Sequence, residues 1–107
     1  MKSKEEKSRE TILLANLSKS IGHPTRVAIL EALSKKGGWI EGEIIAVEGV
    51  APTTIIQHLR ELKRVGIIQG RIFGAQCNYG INAEILLEFK KIWNETMNSI
   101  LDRSSKP

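Results

Sequence analysis

The hydrophobic period of this chain changes at Gly66. In the stretch PTTIIQHLRELKRVGII, residues 52–68, Ile55, Leu59 and Leu62 recur at helical spacing with Ile56 beside them, so one stripe of a helix is apolar. Beyond Gly66 the runs IIQGRIF and CNYGIN read as two short strands joined by Gly74-Ala75-Gln76. In the second run Cys77, Tyr79 and Ile81 point one way, and Asn78, Gly80 and Asn82 the other. A helix that feeds directly into a β-hairpin is therefore the unit around which the other elements must be arranged.

Those elements are helical. Residues 1–10 alternate Lys, Glu, Ser and Arg and read as a frayed helix start or a flexible arm. Ile12, Leu13, Leu17 and Ile21 form one stripe of a first helix over 11–21, ended by Gly22. Pro24 suits the first turn of a second helix whose Val27, Ile29, Leu30 and Leu33 face inward, and Gly37-Gly38 stops it. Ile40, Ile44 and Val47 predict a short third helix over 41–48, closed by Gly49. Pro52 opens the fourth, which runs to Val65. In the last, over 83–101, Ile85, Leu86, Phe89, Ile92, Trp93, Met97, Ile100 and Leu101 make a stripe too wide for a small core, which argues for a subunit interface.

Composition bounds what this can be. With 107 residues, 41% apolar and 26% charged, the chain fits one globular domain with a modest core. No apolar run approaches the ~20 residues of a membrane helix, and the N-terminus has no signal-peptide stretch. These readings predict a soluble, cytoplasmic protein with no membrane partner. Cys77, the single cysteine, cannot form an internal disulfide. The net charge of +4 favours a polyanionic partner. Its positive part is local: Arg60, Lys63, Arg64 and Arg71 face only Glu61 between Pro52 and Gln76, whereas 41–48 holds three acids and no base.

A short helix, a Gly-containing turn and a second helix make a helix-turn-helix, whose second helix enters the DNA major groove. Gln can contact adenine in a bidentate way, Arg guanine, and Thr offers both a hydroxyl and a methyl. The exposed side of 52–65, with Thr53, Thr54, Gln57, His58, Arg60 and Arg64, carries that set. An ordinary amphipathic surface helix would show the same apolar stripe, so the neighbourhood has to decide. The hairpin that follows supplies a wing.

The run IGHPTRVAIL is similar to a Gly-x-Pro-x-Arg helix start, and TTIIQHLRELKRVGII is followed by YGIN at a matching distance. On these residues the chain resembles, over roughly 10–101, the arsenic-repressor family of small bacterial winged-helix transcriptional repressors, many of them metal sensors. The resemblance implies base contacts by Thr53, Thr54, Gln57 and His58, with Arg60, Lys63, Arg64 and Arg71 near phosphates. It also implies a homodimer formed by the first and last helices, with Leu13, Leu17, Phe89, Trp93, Met97 and Ile100 at the interface. Such a dimer would read double-stranded DNA as an inverted repeat with half-sites about one helical turn apart. The expected fold is mainly α with a small β-hairpin: a winged helix-turn-helix of about five helices and a two-stranded wing. Residues 1–10 are then a flexible arm, 11–101 the domain, and 102–107 a tail.

The chain departs from the family in places. Gly70, Ile72, Ala75 and Gly80 stand in the wing where bases are common, and Ala51 replaces a helix-capping serine. One family metal site aligns with Ile40 and Gly42, which cannot bind metal. The other aligns with Asn82, Glu84, Glu95 and Asn98, an all-oxygen set unsuited to zinc. No metal, cofactor or catalytic residue is therefore expected, and a small-molecule inducer is left unassigned. His23 reads as a cap or packing residue, Trp39 as a core or hinge aromatic, and Glu84 with Glu88 as a solvated helix edge. The competing reading is a winged-helix module that docks an acidic protein on its basic face.

Overall fold

The computed structural model describes residues 1–73 and 76–104. The elements run α1 (Lys4–Ile21), α2 (Pro24–Lys35), β1 (Trp39–Glu41), α3 (Pro52–Arg64), β2 (Ile68–Arg71), β3 (Asn78–Ile81) and α4 (Ala83–Arg103). Each helix start has a local cause. Ser3 Oγ accepts from the Glu6 amide at 3.1 Å, and Glu5 and Glu6 complement the α1 dipole. His23 Nδ1 caps α2 by accepting from the Thr25 amide at 3.1 Å, and Asn82 caps α4. The expected arm over 1–10 is thus mostly the opening turns of α1, and Lys2 ties it down through contacts of 2.8 Å to both Glu10 and Glu95. The last helix continues past Leu101 to Arg103. Residues 105–107 of the expected tail, and Gly74 and Ala75 of the expected hairpin turn, lie outside the described residues.

Two further expectations need correction. The sheet has three strands in the order β1-β3-β2, all antiparallel, instead of two. β2 and β3 are the expected hairpin, with Ile68 opposite Ile81 and Arg71 opposite Asn78. β1 adds to the other side of β3, with Ile40 opposite Tyr79. The helix expected over 41–48 is absent: four helices are formed among the described residues, and the chain from Gly42 to Ala51 is irregular. Its backbone groups are taken by side chains and by the sheet. The Ile45 amide donates to the Tyr79 hydroxyl at 2.8 Å, which donates to the Glu43 carbonyl at 3.2 Å. Cys77 Sγ donates to the same carbonyl at 3.3 Å, and the Gly42 amide donates to the Cys77 carbonyl at 2.8 Å. A local i→i+4 ladder would have to give up these partners.

The core gathers one face of every helix against the inner face of the sheet. Leu17 from α1, Ile29 and Leu33 from α2, Ile55, Leu59 and Leu62 from α3, and Ile68, Ile72 and Tyr79 around the hairpin are all buried. Val27, expected inward, is 42% exposed and lines an open groove with Ile21, Leu30 and Leu86. Trp39 is also half exposed and packs across Gly80 at the sheet edge.

Candidate nucleic-acid interface

Helix α3 has no side-chain cap at Ala51, but Pro52 occupies its first position and the amides of Thr54 and Ile55 reach the Ala51 carbonyl at 3.0 and 3.1 Å. Its buried stripe, Ile55, Leu59 and Leu62, is seated on the core. Helical spacing then puts Thr53, Gln57, Arg60 and Arg64 in a single exposed row on the opposite side. Thr54 and Lys63 flank this row, half-buried and exposed respectively. Arg71, at the end of β2, is exposed as well. Five of the eight proposed DNA residues, Thr53, Gln57, Arg60, Lys63 and Arg64, are thus exposed along α3, and Arg71 on the wing makes a sixth.

His58 departs from the pattern. It lies on the flank of α3 that faces α2, half-buried, where its Nδ1 accepts from Arg26 Nε at 3.0 Å and its ring lies 4.5 Å from that of His23. Burial, then the charges of His23 and Arg26, hold its pKa below the ordinary imidazole value. A base-contacting role is harder to reconcile with this position than for Gln57. Arg64 is also engaged: it forks onto Glu61, with Nη2 to Oε1 at 2.6 Å and Nε to Oε2 at 2.9 Å. The pair pulls the Glu61 carboxyl below, and pushes the guanidinium above, their usual values.

The wing has structural reasons for being poor in basic residues. Gly70 has φ 108°, and a Cβ there would come within 2.2 Å of the Asn78 carbonyl oxygen. A Cβ on Gly80 would come within 2.3 Å of the Gly38 carbonyl oxygen. Two positions where bases are common in the resembling family are therefore closed to any side chain. Among the described residues, Arg71, Phe73 and Gln76 are exposed near the tip.

On the far side of the molecule α1 packs along α4. Ile12 on α1 and Leu87, Trp93, Ile100 and Leu101 on α4 are exposed, and Phe89 lies 6.1 Å from Trp93 ring to ring. Leu13, Phe89 and Met97 are half-buried, so part of each is free. Leu17 corrects the expected interface set. It is fully buried within the protomer, on the α1 face turned toward the core, and has nothing left to offer a partner. Of the residues aligned with family metal positions, Asn82 caps α4 and Glu95 is held by Lys2. Among the described residues no group of three or more His, Cys, Asp or Glu side chains could hold a metal.

In the sequence Arg26 stands out only as the arginine of the Gly-x-Pro-x-Arg helix start. That it reaches across to α3 carries no signal in periodicity, because the contact joins residues 32 apart.

A helix with an exposed polar row runs directly into a small antiparallel sheet, and comparison with known proteins supplies the class. Residues 21–71 match the helix-turn-helix domain family. An uncharacterised HTH-type transcriptional regulator of Methanocaldococcus jannaschii is 33% identical over 81 residues, covering 76% of this chain and 91% of the relative. The HTH-type transcriptional regulator YgaV of Escherichia coli is 31% identical over 70 residues, 65% of this chain and 71% of the relative. An uncharacterised HTH-type transcriptional regulator of Mycobacterium tuberculosis is 28% identical over 90 residues, 83% of this chain and 78% of the relative. The chain belongs to the helix-turn-helix transcriptional regulators. No helix among the described residues is long and apolar enough to cross a membrane.

Proposed function

We propose that the protein is a homodimeric repressor of the arsenic-repressor type that binds double-stranded DNA at an inverted repeat, with α3 in the major groove. The exposed row Thr53, Gln57, Arg60 and Arg64 carries this reading, because it sets amide, hydroxyl and guanidinium groups at helical spacing on a helix otherwise seated on the core. Thr53, Thr54, Gln57 and His58 would contact bases, and Arg60, Lys63, Arg64 and Arg71 would lie toward the phosphates. The second copy would cover the exposed apolar residues of α1 and α4, chiefly Leu13, Phe89, Trp93, Met97 and Ile100. With two α3 helices related by a two-fold axis, the half-sites fall about one helical turn apart. Purified protein is to be used to select fragments of its source genome, which are then sequenced. Enrichment of one inverted repeat is expected. Enrichment of none, with capture of an acidic protein instead, would favour the protein-docking alternative.

A further inference from the structure

Three helices meet at Arg26. Its Nε donates to Nδ1 of His58 on α3 at 3.0 Å, and its Nη1 donates to the Ser20 carbonyl in the last turn of α1, also at 3.0 Å. His58 in turn packs on His23, the residue that caps α2, with ring centroids 4.5 Å apart. A guanidinium has donors and no acceptor, so His58 must present a bare Nδ1 to it. The imidazole in this bridge is therefore neutral, with its proton on Nε2. His58 adjoins Gln57, so whatever sets the seating of this turn of α3 also sets the aim of the base-facing row.

We infer that Arg26 and His58 are positioning residues of the DNA interface: their bridge to α1 holds α3 at its working angle, and protonation of His58 Nδ1 opens it and lowers sequence-specific binding. The inference rests on the reading of α3 as the DNA-contacting helix. The groups around His58 give it its sign. His23 and Arg26 face it from α2, and one turn on along α3 lies Glu61, which Arg64 already occupies and which also feels Arg26 and Lys19 of α1. A proton placed on Nδ1 thus meets a guanidinium at hydrogen-bond distance, and the bridge cannot survive it. A general charge effect has the opposite consequence, because added positive charge beside phosphates strengthens binding to every duplex. The quantity that separates the two is the ratio of operator affinity to affinity for an unrelated duplex.

Both affinities are to be measured at fixed salt from about pH 7.5 down to about pH 5, through and well below the ordinary imidazole value, for the full chain and for His58→Asn, Arg26→Met and Gln57→Ala. For the wild type the ratio should fall about three- to tenfold on acidification, the range expected for one hydrogen bond. His58→Asn keeps an acceptor near the Nδ1 position but does not titrate, so its ratio, whatever its value at neutral pH, should stay flat on acidification. Arg26→Met should show the lowered ratio already at neutral pH. A wild-type ratio indifferent to pH, or an acid loss that persists in His58→Asn, overturns the inference. If Arg26→Met fails to fold, nitrogen-15 spectra of wild-type His58 decide: a resting Nδ1–H tautomer overturns it, and a bare Nδ1 that protonates as the ratio falls upholds it. The Gln57→Ala arm keeps the two readings apart. Gln57-dependent selectivity with a pH-indifferent ratio defeats the positioning role alone, whereas a wild type that prefers no duplex defeats both.

Discussion

Arg64 counts as a free positive charge in the sequence but is partly neutralised in the fold, since it donates three hydrogen bonds to the Glu61 carboxylate. Both side chains are surface groups, so the pair contributes little stability and competes mainly with a phosphate. Glu61→Gln should therefore strengthen binding to all duplexes and steepen the dependence of log affinity on log salt by up to about one unit, as a released guanidinium reaches the backbone. Titrations at several salt concentrations check this, and an unchanged slope would show that Arg64 stays clear of the phosphates. Gln57, exposed and with no carboxylate partner among the described residues, should behave differently. Gln57→Ala is expected to weaken the preferred site by about 1–3 kcal/mol and to leave unrelated duplexes nearly unaffected. His58 adds a stability effect independent of DNA. Its folded pKa is depressed, so the unfolded chain binds the proton more readily. The stabilising contribution is complete above the unfolded value of about 6.5 and is lost as pH falls below it toward the folded value. The thermal midpoint should decline across that window in wild type and decline less in His58→Asn.

At the scale of elements, the stretch from Gly42 to Ala51 sets what α3 is built upon. Where a helix was expected, Tyr79 reaches out of the sheet and takes one donor and one acceptor from the segment. Burial raises the Tyr79 pKa, so the hydroxyl remains protonated and able to serve both partners. Tyr79→Phe would leave the Ile45 amide without that partner, at a cost of about 1–3 kcal/mol. Urea unfolding measures the loss, and hydrogen exchange should show it concentrated at residues 43–47 while α2 remains protected. Uniform deprotection would mean that Tyr79 acts only as a packing residue. The wing obeys a similar logic. Gly70 and Gly80 give up basic side chains so that β1, β2 and β3 can approach, which leaves Arg71 as the basic residue of the hairpin strands.

The whole molecule is elongated, with principal extents of 52 × 31 × 21 Å and a radius of gyration of 16.2 Å. A compact domain of this size would have a radius of about 13 Å. The excess fits the length of α4, whose 21 residues outrun the core and carry apolar side chains into solvent. Trp93 is 43% exposed, so its truncation removes only part of its packing within the protomer. The rest of the ~3–5 kcal/mol typical of a packed Trp→Ala change would come from a partner. Trp93→Ala should accordingly lower the thermal midpoint, make it depend more strongly on protein concentration, and weaken a two-half-site operator far more than a single half-site. Sedimentation across a concentration series provides the test. A wild type that is monomeric at tens of micromolar, or a mutant that remains fully dimeric, would assign the apolar stripe to other purposes.

Local pattern sufficed wherever a segment's own periodicity matched its final burial. The core stripe of α3 and the alternation of Cys77, Tyr79 and Ile81 were legible because each element is amphipathic on its own account. The exposed row of α3 was legible as the complement of its buried stripe. The segment over 41–48 was not, since Ile40, Ile44 and Val47 satisfy a helical period while the hydrogen-bond partners that reject the helix come from Cys77 and Tyr79, far along the chain. Leu17 and Leu13 share one stripe on α1, and only the packing of α3 and α2 against that helix decides that Leu17 is consumed inside the protomer. His58 looked like one more polar residue of an exposed face until Arg26 claimed its Nδ1 from another helix. Periodicity records which side of an element is apolar. Which long-range partner occupies a given donor, acceptor or methyl group depends on how the elements are brought together, and that is a property of the tertiary structure.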